Sequence, residues 1–289
     1  MSRAETLRVV DPLEYYKSHV SRGVRPDGRA LLRGRKPHIS LSPITSADGS
    51  ALLRLGKTTV IAGVQCEPTA PAPDESESSR GRIVVSVELP AVCSPVASAG
   101  ASGGGGAAGR LEREKAVLVE LLQRTASGGL VDLETLCAVD GHAVWSCYCD
   151  VVVLEDDGNL ADAALLAMMA ALSCVRLPRC ALDEGALTVV EESAMAISLA
   201  APLYPCTFGL LAGEIILDPC AEEEALLSTS LTLMLDSDGE MRTFHKPGGA
   251  PLPESAMQAC YTAAQQRLPA LSALVGGSGT SRAAQMSVG

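Results

Sequence analysis

The fold is decided by the stretch AVWSCYCDVVVLEDDGNLADAALLAMMAALSCV, residues 143–175. Its first part, Ala143 to Leu154, is almost continuously apolar, which predicts a strand in the middle of a sheet. An acidic turn, Glu155 to Asn159, separates this strand from a helix of Ala, Leu and Met that begins at Leu160. A strand followed by a turn and a helix N-terminus is a natural phosphate site, because the first helical amides are unpaired. In this chain, acidic side chains fill that site.

The positions of Asn159 and Asp162 predict which groups the acidic side chains contact. Asn159 is placed to cap the helix, and Asp162 then takes the third helical position, where a carboxylate complements the helix dipole by about 0.3 to 1 kcal/mol. A bound phosphate would lie beside that carboxylate, and two unit charges about 4 Å apart repel by roughly 4 kcal/mol at an effective dielectric constant near 20. We therefore expect the carboxylate of Asp162 to take the place of a bound anion at the start of the helix.

Strand and helix patterns extend over the rest of the chain. The other predicted strands are His38–Ile44, Ser50–Leu55, Thr58–Gln65, Ile83–Leu89, Leu130–Val139, Leu187–Val190, Ala194–Leu199, Thr207–Leu211, Glu214–Leu217, Leu226–Leu235 and Glu240–His245. The predicted helices are a short one within residues 1–24, then Arg110–Arg124, Leu160–Val175 and Pro253–Val275. Strands followed by a helix occur twice, which predicts an α+β fold of two similar halves.

The same patterns predict the domain organisation. We expect an N-terminal helical extension over residues 1–24, a first half over 25–182, a second half over 183–275 and a flexible tail over 276–289. The boundary between the halves is expected near Pro178 to Gly185. Within the first half, residues 96–109 are nearly all Ala, Ser and Gly, which predicts a flexible surface insertion.

Composition limits the possible functions. The chain has 289 residues and is 47% hydrophobic, which is enough for a substantial core. Only 3% of the residues are aromatic, which argues against sheets that stack bases. A net charge of −11 argues against a chain that grips nucleic acid by itself. A basic cluster near the start stands out, and it predicts either a solvated segment or an RNA contact. Its members are Arg22, Arg25, Arg29, Arg33, Arg35 and Lys36.

The ten cysteines do not form a CxxC pair, so no metal site is predicted. Cys147 and Cys149 alternate along one strand and are expected to face the same side. Residues 1–5 do not resemble a signal peptide, so we expect reduced, mostly buried thiols in a soluble intracellular protein. The longest uncharged apolar run, within Ala163 to Val175, is shorter than the roughly 20 residues of a membrane span.

Asp218 and Glu224 are the most enzyme-like pair in the sequence. A strand end followed by a turn can hold two carboxylates close enough for general acid catalysis or metal binding. The alternative is a solvated acidic loop, which the residue types alone favour. His142 and His245 belong to different halves, and each is expected to be structural. The segment His245 to Gly249 could face a phosphate but lacks the Walker order of glycines followed by Lys and Ser or Thr.

Several motifs, in order along the chain, resemble those of one family. They are Arg25-Pro26-Asp27-Gly28-Arg29, Ala47-Asp48-Gly49-Ser50-Ala51, the run from Leu55 to Val64, the run from Asp156 to Ala163, and the run from Asp218 to Glu224. Their order and spacing over about residues 9–275 resemble the RNase PH-like ring subunits of the eukaryotic RNA exosome. Asp11 to Tyr16 and His245 to Gly249 resemble one particular subunit of that ring.

The resemblance implies a fold and a set of partners. The fold is the RNase PH-like α+β fold, related to domain 2 of ribosomal protein S5, with two similar βαβ-type halves. The implied partners are other RNase PH-like ring subunits, S1/KH-type cap subunits and RNA threaded through the ring toward a separate exonuclease. The implied locations are the nucleus, including the nucleolus, and the cytoplasm, in rRNA maturation and mRNA decay, without a membrane or a cofactor.

The resemblance also implies a loss of activity. Active phosphorolytic relatives carry a Gly-Thr-Arg-Thr-like stretch at the phosphate turn, where this chain has residues 159–162, Asn-Leu-Ala-Asp. They also carry arginines on the helix that corresponds to Arg110–Arg124, where this chain has Glu120, Leu121 and Leu122. Asp218 and Glu224 survive as a vestigial pair. We therefore expect a non-catalytic ring subunit with no catalytic, cofactor or metal residues. The expected RNA or subunit contacts are Arg22, Arg25, Arg29, Arg33 and Arg35.

Two alternatives stay open. The first is a phosphate-dependent 3′ exoribonuclease that uses Asp218 and Glu224 with a divalent metal. The second is a stand-alone RNA-binding module, against which the net charge counts.

Overall fold

The computed structural model describes residues 3–71, 79–93, 107–183 and 186–276. The helices within these ranges are α1 Arg3–Val10, α2 Pro12–Val20, α3 Ala107–Thr125, α4 Leu160–Cys174, α5 Ala221–Glu224 and α6 Glu254–Gly276. The strands are β1 Pro37–Leu41, β2 Gly49–Leu55, β3 Thr58–Thr69, β4 Arg82–Glu88, β5 Cys137–Val139, β6 Ala143–Glu155, β7 Arg176–Asp183, β8 Ala186–Ala196, β9 Tyr204–Leu211, β10 Glu214–Leu217, β11 Thr229–Leu235 and β12 Met241–His245. The α+β class predicted from the sequence is confirmed.

The apolar stretch that opens the sequence argument forms β6, an inner strand of the first sheet. That sheet has the order β1-β2-β3-β6-β4, with the short β5 also paired to β6. β6 runs antiparallel to β3 and parallel to β4. The parallel pair is joined through α3, which packs on β4, so the first half contains a βαβ crossover. Val151 and Val153 are fully buried, in agreement with the prediction of a central strand.

The second sheet differs from the first more than the sequence predicted. Its order is β10-β9-β11-β12, and every pairing in it is antiparallel. No two adjacent strands of this sheet are parallel, but β10 and β11, which flank β9 and run in the same direction, are joined through α5. Between the halves, β7 and β8 pair as a separate two-stranded sheet, so the residues around Pro178 to Asp183 form a strand.

Helix α4 lies between the two sheets, where it contacts β1 to β3 on one side and β9 on the other. Thirteen of its fifteen residues are buried, as expected for a helix that is apolar on all sides. Gly49 allows the close approach of β2, since a Cβ there would lie 2.5 Å from the carbonyl oxygen of Ala171. Helix α6 packs against the second sheet. One apolar core thus joins both halves.

The N-terminal segment forms two helices where the sequence predicted a single one. Asp11 separates them because its carboxylate accepts a hydrogen bond from the amide of Glu14 and caps α2. Tyr16 and Val20 of α2 bury themselves against Leu211 and Ile216 of the second sheet. The N-terminus is therefore attached to the second half of the chain.

Three other predicted elements are corrected. Only Cys137–Val139 of the predicted strand Leu130–Val139 is a strand, because the carboxylate of Asp132 accepts the amide hydrogen of Glu134 and starts a 3-10 turn over Leu133–Leu136. The strand predicted from Leu226 begins only at Thr229. The two strands predicted between Leu187 and Leu199 are the single strand β8.

Part of the predicted Gly-rich insertion and nearly all of the tail lie outside the described residues, and residues 107–109 already belong to α3. All ten cysteines are free thiols. Cys147 and Cys149 are both fully buried on one side of β6, as predicted. None of the helices in the described ranges combines the length and apolar character needed to cross a lipid bilayer.

Candidate functional site

Asp218 is at the centre of a buried hydrogen-bond network at the end of β10. Its Oδ1 accepts from Nη2 of Arg35 at 2.8 Å and from Nδ2 of Asn159 at 2.7 Å. Its Oδ2 accepts from the amide and Nε of Arg35 at 2.7 and 3.0 Å, and from Nη1 of Arg29 at 3.2 Å. Burial alone would raise the pKa of Asp218, but the hydrogen bonds and charge of Arg35, with help from Asn159, hold it below the usual value. Asp218 is therefore an ionised carboxylate with both oxygens engaged inside the chain.

Arg25 forms a second buried ion pair beside this network. Its Nε donates to Oε1 of Glu223 at 2.8 Å, and its Nη2 donates to Oε2 of the same carboxylate. Its Nη1 donates to the carbonyl oxygen of Leu217, and its Nη2 also donates to that of Asp218. Both side chains of the pair are almost completely excluded from solvent. Arg25, Arg29 and Arg35 together fasten the segment 25–35 to the turn 218–224.

The turn before α4 contacts this network through Asn159. Asn159 has left-handed backbone angles, φ 59° and ψ 46°, and its side chain makes no capping hydrogen bond. The predicted cap is therefore wrong, since a capping side chain needs extended backbone angles to reach the first amides. The Asn159 amide side chain donates instead to Asp218 and to Asp162, and its backbone N–H donates to Oε1 of Glu224 at 2.7 Å.

Asp162 also differs from its prediction. It accepts hydrogen bonds from the amide and hydroxyl of Thr207 on β9, at 3.2 and 2.6 Å. Its carboxylate therefore ties α4 to the second sheet and does not satisfy the first amides of its own helix. Burial raises its pKa, against the opposing charge of Arg267. The third helical position was identified correctly, but the partner comes from the tertiary fold.

Gly158 lets the two turns touch backbone to backbone. Its φ is +81°, and a Cβ there would lie 2.6 Å from the amide nitrogen of Ala221. The carbonyl oxygens of Asp157 and Gly158 accept hydrogen bonds from Arg35 at 3.0 and 3.1 Å. The turn thus presents acceptors to an internal arginine at a place where donors would be needed to hold a phosphate.

A cleft of about 480 Å³ opens beside Asn159, between α3, the start of α4 and the second sheet. We call it the acidic cleft, because Glu114 and Glu224 line it and none of its described lining residues is Lys or Arg. The Glu224 side chain contacts solvent, but the surrounding protein limits its hydration and raises its pKa to about 8. Burial and then the charge of Asp156 raise the pKa of Glu114. His245 also lines the cleft, whereas His142 is exposed elsewhere.

The structure brings Asp218 and Glu224 together only through Asn159, which binds both. Among the described residues, no group of three or more His, Cys, Asp or Glu side chains is arranged to hold a metal ion. Of the five predicted contact arginines, only Arg22 and Arg33 have exposed side chains.

The sequence did not identify two basic residues of this surface, His38 and Arg54. They face each other across the β1–β2 pair and line an open cavity with Arg35 and Lys36. The two strands were predicted, and pairing them in register would have brought these residues together.

Comparison with known proteins gives the following matches. Residues 33–178 match domain 1 of the 3′ exoribonuclease family RNase PH, and residues 201–267 match its domain 2. The exosome complex component Rrp42 of Methanothermobacter thermautotrophicus is 30% identical over 86% of this chain and 88% of its own length. The exosome complex component rrp43 of Schizosaccharomyces pombe is 28% identical over 89% of this chain and 93% of its own.

Two solved structures are similar over nearly the whole chain. A chain of an archaeal exosome core superposes with a TM-score of 0.75 at 26% identity, covering 96% of this chain and 100% of that one. A chain of the Archaeoglobus fulgidus exosome with RNA bound to the active site gives a TM-score of 0.72 at 28% identity, covering 93% and 97%.

Proposed function

Because the chain belongs to the RNase PH family of 3′ exoribonucleases, we propose that it is a non-catalytic subunit of an exosome core ring. In this role it supports 3′ to 5′ RNA processing and degradation by holding its neighbours and framing the path of the RNA. Its partners are other RNase PH-like ring subunits and S1/KH-type cap subunits, in the nucleus, nucleolus and cytoplasm. The similarity to exosome components along most of the chain supports this assignment.

The observation that carries the non-catalytic role is the engagement of Asp218. A carboxylate that transfers a proton or binds a metal needs a free oxygen directed at the reacting group. The two oxygens of Asp218 accept five hydrogen bonds from Arg29, Arg35 and Asn159. Asp218, one member of the carboxylate pair with an enzyme-like spacing, thus stabilises the fold.

The acidic cleft gives independent support. Phosphorolysis needs an inorganic phosphate held by cations or free amides near the RNA end. Glu114 and Glu224 line the cleft, and the backbone N–H of Asn159 is already bonded to Glu224. An incoming phosphate would therefore meet carboxyl groups and an amide that is already bonded, with no Lys or Arg among the described lining residues.

The ring assignment is tested by purifying the chain alone and with sibling RNase PH-like subunits, and by weighing the products with native mass spectrometry. We expect a stoichiometric ring in which this chain occupies one position. Failure to enter such a ring, with a correctly folded chain, would refute the proposal.

The catalytic alternative is tested by incubating the pure chain with labelled RNA, phosphate and magnesium. We expect no release of nucleoside diphosphates. Release that disappears in Glu224→Gln would establish a phosphorolytic enzyme in place of a scaffold. Glu224→Gln is preferred to Asp218→Ala because Asp218 also holds the fold, so that its loss would affect stability as well as activity.

Within the ring, we propose that the chain takes the position of an Rrp43-type subunit. The segments Asp11 to Tyr16 and His245 to Gly249 support this choice over an Rrp42-type position. Pairwise co-purification with each sibling subunit tests it, since the two positions have different neighbours. Binding to the neighbours of an Rrp42-type subunit would contradict it.

A further inference from the structure

Two adjoining cavities on the surface are lined by basic residues. One, of about 530 Å³, is lined by Arg35, Lys36, His38, Arg54 and Gly56. The other, of about 230 Å³, shares Arg35 and Lys36 with the first and adds Arg33 and Arg267 among its lining residues. None of the described residues that line either cavity is Asp or Glu. We call the exposed part of this surface, Arg33, Lys36, His38 and Arg54, the basic strip.

The fold assembles the strip from three separate places in the sequence. Residues 33–36 lead into β1, the pairing of β1 with β2 sets His38 opposite Arg54, and α6 brings Arg267 to the floor. Gly34 allows this approach, because a Cβ there would lie 1.4 Å from Nη1 of Arg267. A side chain at position 34 would therefore displace the guanidinium from the floor.

The charges of the strip are free to act on a ligand. Within the described ranges, the exposed side chains of Arg33, Lys36 and Arg54 form no ion pair or hydrogen bond. Beneath them, Nη1 of Arg267 is buried without a hydrogen-bond partner in the described structure, and Nη2 donates to the carbonyl oxygen of Arg35. Concave surfaces lined by one sign of charge concentrate the field and attract ions of opposite sign.

We propose that the basic strip binds the phosphate backbone of single-stranded RNA. Arginine forks match the oxygens of phosphate, and the two adjoining cavities offer successive places for phosphate groups. No Phe, Tyr or Trp lines either cavity in the described structure, so we expect phosphate contacts to dominate and binding to depend little on RNA sequence. The inference rests on the proposed function, in which RNA passes along the subunit.

The number of free cations sets the expected salt dependence. Each phosphate neutralised on a single strand contributes about 0.7 to the slope of log K against log salt concentration. Arg33, Lys36 and Arg54 together therefore contribute a slope of about 2. Between 50 and 200 mM salt this corresponds to a loss of roughly 20-fold in affinity.

The test measures fluorescence anisotropy of a labelled oligouridylate with the full chain from 50 to 200 mM salt. The test variant is Arg33→Gln/Lys36→Gln/Arg54→Gln. The matched control is Lys17→Gln/Arg113→Gln/Arg124→Gln, which removes the same charge from exposed residues that line neither cavity. We expect the test variant to bind at least about tenfold more weakly at 50 mM salt and to lose about 2 from the salt slope, while the control changes little.

Three results would overturn the proposal. Absence of RNA binding by the unmodified chain is the first, and equal losses in the two triple variants, which indicate bulk charge alone, are the second. The third is binding of labelled polyglutamate that exceeds RNA binding and depends on the strip, which would identify an acidic protein as the partner.

Assembly measured on the same proteins separates this inference from the proposed function. If the unmodified chain fails to enter a ring, the proposed function fails, but the anisotropy still decides the role of the strip. If the test variant no longer enters a ring but still binds RNA, the basic strip is a subunit interface and the proposal that it binds RNA is wrong. Unfolding temperatures of both triple variants exclude misfolding, since all six side chains are exposed.

Discussion

The acidic cleft and the basic strip are opposite in charge and are joined by a short chain of buried contacts. Arg35 lines the cavities of the strip and binds Asp218, Asp218 binds Asn159, and Asn159 lines the cleft. In the cleft, two carboxyl groups with raised pKa values lie close together, and none of the described lining residues is Lys or Arg. In the strip, arginine and lysine side chains face solvent, and none of the described residues that line its cavities is Asp or Glu.

The difference shows that net charge says little about where a chain can bind an anion. A charge of −11 counts against RNA binding by the whole chain, but acidic and basic side chains gather at different ends of one network. The position that would hold phosphate in an active enzyme carries acids, and the free cations lie elsewhere. The proposed loss of catalysis and the proposed RNA-binding surface are therefore compatible in this fold.

The largest expected effect comes from breaking the buried ion pair Arg25–Glu223, which lies beside the network that joins the two regions. Glu223→Ala leaves Arg25 as an uncompensated buried charge, which costs about 3 to 5 kcal/mol of unfolding free energy. Urea unfolding measures this loss. The matched control is the double variant Arg25→Met/Glu223→Leu, which removes both charges and is expected to recover most of the stability. A loss below about 1 kcal/mol in Glu223→Ala would show that the pair is hydrated.

A smaller effect is expected from the acidic cleft as pH changes. The folded chain raises the pKa of Glu224 from 4.5 to about 8, so the fold favours the protonated form. The stability associated with that proton is complete below pH 4.5 and is lost as pH rises to about 8. Glu224→Gln mimics the protonated form, so at pH 9 its unfolding free energy should exceed that of the unmodified chain. The difference should be only on the order of 1 kcal/mol, because solvent contact reduces the effect.

Urea unfolding at pH 5 and pH 9 tests this prediction. Glu120→Gln, at an exposed position on α3, is the control and should show no such pH dependence. Equal stability of Glu224→Gln and the unmodified chain at both pH values would mean that Glu224 is fully hydrated.

The smallest effect is expected from a variant that adds a positive charge to the acidic cleft. Ala161→Arg places a cation at the second residue of α4, where active relatives are expected to have one. We expect phosphate to raise the unfolding temperature of this variant slightly, with an added binding energy of about 0.3 to 1 kcal/mol. Ala161→Gln serves as the uncharged control. An equal response of Ala161→Gln to phosphate would show that the introduced charge does not reach a bound anion.

The sequence predicted local structure well wherever a single periodic pattern decided it. β6 and α4 begin at Ala143 and Leu160, as expected, because an apolar run and a helical run meet at one acidic turn. The role of Asn159 was wrong, since its partners Asp218 and Glu224 come from another element and its backbone is left-handed. Contacts between residues that are far apart in the sequence determine the roles of such residues, and local sequence patterns do not reveal those contacts.

The basic cluster near the N-terminus shows the same limit. Six basic residues within a short segment looked alike in sequence, but the fold buries Arg25 against Glu223 and leaves Arg33 exposed. His38 and Arg54 could have been added by pairing β1 with β2. Arg267 could not, because only the packed position of α6 brings it near Gly34.

The buried ion pair also sets an order of events during synthesis. Arg25 and Glu223 are 198 residues apart, so at 5 to 20 residues per second a ribosome makes the carboxylate about 10 to 40 s after the guanidinium. Until then Arg25 has no partner, and burying it alone would be costly. We therefore expect the N-terminal segment to remain undocked until the turn 218–224 has emerged.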